Sequence, residues 1–168
     1  MSGTIKFFHP EETFTYTIDK CFCKVVYLKK KNCLILEIES TEDIEHLEED
    51  SLQNEYPKVI LNIDDFPVNV QDKNQLIGKT IQIPIGTDEI QDEDGEIDEV
   101  YYTNLMVNED DLEINSNVLN FSKDKKGVLS VHWTGEVIDF TDTMDDTLRF
   151  EVKCSFVNKR SFFKMYKN

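Results

Sequence analysis

Val128-Leu129-Ser130-Val131-His132-Trp133-Thr134 and Leu148-Arg149-Phe150-Glu151-Val152-Lys153-Cys154-Ser155-Phe156 set apolar against polar residues at period two. Successive side chains of an extended chain point to opposite faces. Leu129, Val131 and Trp133 therefore share one side, and Val128, Ser130, His132 and Thr134 take the other. This is the pattern of antiparallel strands with one dry and one wet face. The same logic reaches back to Asn117–Phe121. For Leu119 and Phe121 to share a face with Leu129 and Val131, the turn through the lysine-rich 122–127 segment needs five loop residues, with Gly127 near a bulge.

The rest of the chain repeats the theme. Ile5–His9 and Thr13–Ile18 read as short strands separated by His9-Pro10-Glu11-Glu12. Cys21–Leu28 and Cys33–Glu39 read as a hairpin across Lys29-Lys30-Lys31-Asn32. A four-residue loop sets Leu28 opposite Cys33, Val26 opposite Ile35 and Lys24 opposite Glu37, and puts Cys23, Val25, Tyr27, Leu34, Leu36 and Ile38 on one face. Ser40 and Thr41 can cap a short helix with Glu42 and Asp43 in its first turn and Ile44 and Leu47 inside. Val59–Ile63 is a strand that stops at Asp64-Asp65-Phe66-Pro67, and residues 69–78 form a loop. Ile81, Ile83 and Ile85 form a strand that Pro84 places at an edge or an end. Val100–Val107 is a further strand, and Thr141–Asp146 splits the last two. The expected fold is mainly β: an antiparallel β-sandwich or open barrel with one short helix.

A chain of 168 residues suits a single domain, here 1–168, and a domain of this size buries about 70% of its unfolded surface. A hydrophobic fraction of 39% is too high for a disordered acidic chain despite a net charge of −16. Residues 1–20 lack an apolar core, so a cytoplasmic location is expected, without membrane association. Cys21, Cys23, Cys33 and Cys154 lack zinc-site spacing, and two cysteines two apart on a strand are about 7 Å apart, too far for a disulfide; buried thiols are expected.

Catalytic and metal signatures are weak. Asp92-Glu93-Asp94-Gly95-Glu96-Ile97 resembles the middle of an EF-hand calcium loop, but that alignment puts Ile90 at the first ligand position and Tyr101 at the closing glutamate. The stretch reads instead as an exposed acidic hairpin turn around Asp94-Gly95. His9, His46 and His132 accompany no nucleophile motif, and His132 reads as a satisfied sheet histidine. Trp133 shares the parity of Leu129 and Val131 and belongs to the core. No catalytic residue, cofactor or metal is expected.

The charge pattern is the informative feature. Thr80 to Ser122 holds twelve carboxylates and no lysine or arginine, whereas the 158–168 segment carries Lys159, Arg160, Lys164 and Lys167 with no acid and is expected to dock on the body as a final strand. A dense anionic surface repels itself and disfavours nucleic acid as a direct ligand, but suits a basic protein partner. The chain resembles bacterial immunity proteins in size, acidity and lack of catalytic motifs, which implies binding and neutralising a basic partner such as a nuclease-type toxin. Candidate contacts are Asp92, Glu93, Asp94, Glu96, Asp98, Glu99, Asp110 and Asp111, with Tyr101 and Tyr102 as aromatic anchors. A ligand-binding β-sandwich for a glycan or surface partner, using Tyr101 or Tyr102, is the alternative, and a hydrolase built on His132 stands third.

Overall fold

A computed structural model describes residues 3–42, 47–143 and 146–156. Eleven strands are present among the described residues: β1 (Gly3–Phe8), β2 (Thr13–Leu28), β3 (Lys31–Ser40), β4 (Val59–Pro67), β5 (Thr80–Ile83), β6 (Thr87–Gln91), β7 (Ile97–Tyr101), β8 (Thr103–Val107), β9 (Asp110–Lys123), β10 (Leu129–Ile138) and β11 (Thr147–Ser155). The described helical residues are two single 3-10 turns, Leu52–Glu55 and Lys73–Leu76. The expected helix after Ser40 falls largely on 43–46, outside the described residues, as does the expected docking of the 158–168 segment.

The strands form a closed eight-stranded antiparallel barrel, not the expected sandwich or open barrel. Around it run β1, β2, β3, β4, β8, β9, β10 and β11, neighbours consecutive in sequence except that β4 pairs with β8 across the intervening β5–β7. Closure comes from the pairing of the first strand with the last, Gly3–Phe8 opposite Cys154–Arg149, which hides the two edges an open sheet would expose. An eight-stranded barrel has an interior just wide enough for side chains to fill. Trp133, Phe7, Phe14, Phe150, Leu34, Leu36 and Leu61 fill it here. Gly135 faces them because a Cβ there would lie 2.8 Å from the Phe150 ring.

The period-two reading holds in β10 and β11, where Leu129, Val131 and Trp133 are buried with Leu148, Phe150, Val152 and Cys154. The β9–β10 register pairs Leu129 with Lys123 and Val131 with Phe121, leaving the five expected loop residues, with Gly127 in the left-handed region at φ 79°. Elsewhere the parity changes within strands. β2 is one 16-residue strand, not two. Its inward set moves from Phe14, Tyr16 and Ile18 to Cys21 and Cys23 across a bulge between Ile18 and Lys20, which imitates a strand end in the sequence. β4 likewise runs on past Ile63 through a bulge with Asp65 at φ 49°.

The β2–β3 hairpin differs from expectation by two residues in register: Leu28 pairs with Lys31, Val26 with Cys33 and Phe22 with Glu37. Lys29 and Lys30 form a two-residue turn with φ of 50° and 67°, the left-handed pair of a type I′ turn. An even shift keeps the faces, so Cys23, Leu34, Leu36 and Ile38 are buried as expected, but Lys24 is not directly opposite Glu37. Tyr27, expected inside, is 73% exposed because it lies beside the turn, past the end of the packed interior.

The expected Val100–Val107 strand is two strands with different partners. β5 and β8 lie end to end along one edge of β9, Thr80–Ile83 opposite Asn120–Asn117 and Asn104–Val107 opposite Glu113–Asp110. Between them the chain leaves as the β6–β7 hairpin. The Gly86 carbonyl accepts from the Tyr102 and Thr103 N–H groups (2.6 and 3.2 Å), joining the two stems at the barrel wall. Opposite this junction β9 bulges, with Ser116 at φ 55°.

Buried polar groups complete the junction. Asn117 Nδ2 donates to the Ile83 and Ile114 carbonyls (both 3.0 Å), and its Oδ1 accepts from Trp133 Nε1 at 2.8 Å. Thr103 Oγ1 donates to the Ile114 carbonyl at 2.6 Å. The polar groups freed by the interruption are thereby satisfied inside the wall.

Candidate functional site

The acidic stretch becomes an arm. β6 and β7 pair only with each other, from Thr87 opposite Tyr101 to Gln91 opposite Ile97. Every residue from Asp88 to Glu99 is exposed. The tip is the expected turn: Asp92 Oδ1 accepts from the Asp94 and Glu96 N–H groups (2.9 and 2.8 Å), and Gly95 takes φ 83°. Side-chain acceptance of this kind fixes a turn locally.

Thr87–Tyr101 carries Asp88, Glu89, Asp92, Glu93, Asp94, Glu96, Asp98 and Glu99 without one lysine or arginine. Glu89 stands directly opposite Glu99, a like-charge pair that weakens a ribbon. The ion pairs among the described residues, Lys58 with Glu39 and Glu42 and His132 with Glu151, lie outside the arm. A two-stranded ribbon is at best marginally stable alone in water, so this one depends on its root. There Thr87 Oγ1 donates to Glu113 Oε1 at 3.0 Å, and the Tyr102 hydroxyl donates to Asp88 Oδ2 at 3.2 Å.

The ten candidate contacts separate into five places. Asp92, Glu93, Asp94 and Glu96 form the tip, and Asp98, Glu99 and Tyr101 lie on the β7 stem. Tyr101 is 41% exposed, and between the acids Ile90 and Ile97 are also open, at 48% and 64%. Tyr102 is a root residue, its ring edge-on to Phe66 at 5.3 Å and its hydroxyl held up by burial and then by Asp88. Asp111 lies on the outer wall, where its Oδ1 accepts from Asn104 Nδ2 at 2.5 Å. Asp110 belongs to the opposite end of the barrel. There, after burial, Glu55, Asp139 and Asp142, it adds to the field raising the Tyr56 hydroxyl.

The wall beside the root extends the acidity in a way the sequence did not single out. Burial, then Asp65 and Asp111, raises the Asp64 carboxyl above its usual value. Asn104, on the outward side of β8, is only 6% exposed, and its Oδ1 has no partner among the described residues. Spacing alone does not flag these positions, because they come from three different strands.

Among the described residues no group of three histidine, cysteine, aspartate or glutamate side chains is placed to hold a metal. His132 Nε2 meets Glu151 Oε2 at 3.0 Å across β10–β11, and that bond is the first cause holding Glu151 below the usual carboxylate range. His46 lies outside the described residues. His9, which the sequence left beside a proline turn, is buried. Its Nδ1 accepts from the Glu11 N–H at 3.1 Å, so the neutral ring carries its proton on Nε2, facing Thr143 Oγ1 (2.6 Å) and Thr141 Oγ1 (3.2 Å). These hydroxyls donate on to Asp139. In this tautomer Nε2 is a donor, so the chain ties the β1–β2 turn to the β10–β11 loop and provides no base for the threonines. Its signal in the sequence was His9 before Pro10 and the Asp139-x-Thr141-x-Thr143 spacing.

The four cysteines are buried thiols. Burial pushes Cys23 up to about 12, and Cys154 is raised first by its bond with Cys21 and then by burial. Thiols so raised stay protonated and unreactive at neutral pH. No helix among the described residues is long and apolar enough to cross a membrane. No protein-family model, curated protein or solved structure matches this chain.

Proposed function

We propose that the protein is a non-enzymatic acidic interaction protein that binds and neutralises a basic protein partner, the part an immunity protein plays toward its toxin, with the β6–β7 arm as principal contact. The observation that supports this reading is one of placement. Eight carboxylates without a base occupy a ribbon that stands off the barrel, with Ile90, Ile97 and Tyr101 open among them. A cationic groove relieves the like-charge repulsion and steers encounter from a distance, while the apolar side chains supply a desolvated centre. Asp111 and Asp64 extend the contact at the root, and Asp110 stands apart from it. The barrel interior is filled by side chains, which is consistent with a contact made on the outer surface. A cytoplasmic location suits this role.

Capture from a native-host lysate at low salt tests the reading, with a variant carrying Asp92→Asn, Glu93→Gln, Asp94→Asn and Glu96→Gln as the control. A basic protein retained by the parent, released by salt and lost with the variant is expected. Equal retention by both proteins would refute the role of the arm. Salt-insensitive glycan binding lost in Tyr101→Ala would replace it with the ligand-binding alternative.

A further inference from the structure

On the side of the barrel away from the arm, β2 outruns its neighbour. β1 pairs with β2 only up to Thr17, opposite Thr4, whereas β3 follows β2 to its end at Leu28. From Phe22 to Leu28 one edge of β2 therefore pairs with no strand among the described residues. Seven residues of strand span about 23 Å at about 3.3 Å each. Beside the edge lies a cleft of 790 Å³ whose floor includes the buried Cys23, Leu129 and Phe156. Its rim carries Lys20 and Lys24 on the outward side of β2, with the exposed Phe22 between them and Lys73 across the opening.

The charge here runs against the rest of the molecule. The chain has 34 acids and 18 lysines and arginines, yet Lys20, Lys24 and Lys73 form no ion pair among the described residues. Lys24 instead lies 5.6 Å from the Phe22 ring centre. Of the two glutamates bordering the cleft, Glu39 is already engaged by Lys58 at 2.6 Å. Screening at physiological salt acts over about 8 Å, so at the edge these three lysines outweigh the distant net charge.

We infer that this edge is a docking site for an extended acidic peptide strand of a partner, laid beside Phe22–Leu28 as an added strand. Alternate side chains of an added strand face opposite ways. Carboxylates on its outer face meet Lys20 and Lys24, and apolar side chains on its inner face cover Cys23, Leu129 and Phe156. The chain's own 157–168 segment follows Phe156 directly, but its Lys159, Arg160, Lys164 and Lys167 would be repelled by the same lysines. The inference is independent of the arm and gives the molecule a second, oppositely charged contact.

The test uses the full chain at 0.15 M salt and a fluorescent, capped six-residue peptide alternating glutamate and valine, with its lysine–valine counterpart as control. Saturable binding is expected for the first peptide, at least tenfold tighter than for the second. Lys20→Gln, Lys24→Gln and Lys73→Gln together should weaken it at least tenfold without moving Tm, and exchange should slow on binding at the alternate amides of 22–28 that face away from β3. The inference is overturned by absent binding, by equal binding of the two peptides, by an unaffected triple variant or by protection on another strand. It is also overturned if the 22–28 amides that face away from β3 are already protected in the free protein, since the edge would then be occupied within the chain.

Discussion

Replacing Asn117 by leucine should loosen the wall at the root of the arm. Asn117 is almost fully buried, and its Oδ1 is the acceptor for the indole N–H of Trp133, which is fully buried in the barrel core. Leucine leaves that N–H without a partner and removes the donor from the Ile83 carbonyl; the Ile114 carbonyl keeps the Thr103 hydroxyl. An orphaned buried polar group costs about 1–3 kcal/mol. One complete orphan and one weakened carbonyl come to about 2–4 kcal/mol, a large part of the roughly 5–15 kcal/mol typical of a folded protein. With a urea m-value of about 2 kcal/mol/M, the unfolding midpoint should fall by about 1–2 M at unchanged m. Trp133→Phe removes the orphaned donor, so the double variant should cost about 1–2 kcal/mol less than the two single changes together. Far-UV circular dichroism is the suitable probe, because Trp133 is the only tryptophan. A midpoint shift below about 0.3 M, or strictly additive costs, would refute this account of the junction.

Lys30→Gly should raise stability by about 0.5–1 kcal/mol, read as a higher urea midpoint. Glycine relieves the left-handed strain at φ 67°, partly offset by its greater freedom in the unfolded chain. Asp64→Asn should raise Tm at pH 7. The raised carboxyl of Asp64 holds its proton to higher pH in the native than in the unfolded state, so wild-type stability falls as pH rises through the window above 3.8. The advantage of the variant should therefore vanish on acidification below that value, and an advantage that persists there would contradict the cause given. Calcium at about 1 mM should leave Tm unmoved, since the Asp92 oxygen at the tip is already committed to two backbone N–H groups; a clear rise would mean that native-state binding exists.

Strands with one uninterrupted parity were legible: β10 and β11 declared their faces, and the parity of Leu119 with Leu129 fixed a five-residue turn that the structure contains. Reading failed where one residue was inserted. At Asp19 in β2, at Asp65 in β4 and near Ser116 in β9 a bulge reverses the inward set, and period-two logic mistakes it for a strand end. The β2–β3 register was missed because Lys29-Lys30 adopts a conformation that sequence preference assigns to Asn-Gly. Barrel closure depends on backbone pairing between Gly3–Phe8 and β11, which leaves no mark in side-chain alternation. The acidic hairpin turn at Asp94-Gly95 was readable from its residues. That it stands off the wall, because β5 and β8 share one strand position around it, was not, and neither were the contributions of Asn104 and Asp64, which depend on strands far apart in sequence.

The central claim is that the arm captures a cationic protein. Its most direct test is the dissociation constant for the basic protein that co-purifies from the native host, measured at 50 and 300 mM salt for the parent and for the tip variant. The parent should weaken at least tenfold across that range, while the variant binds less tightly at low salt and with a visibly flatter salt dependence. Identical affinities and identical salt dependence in the two proteins would contradict the claim.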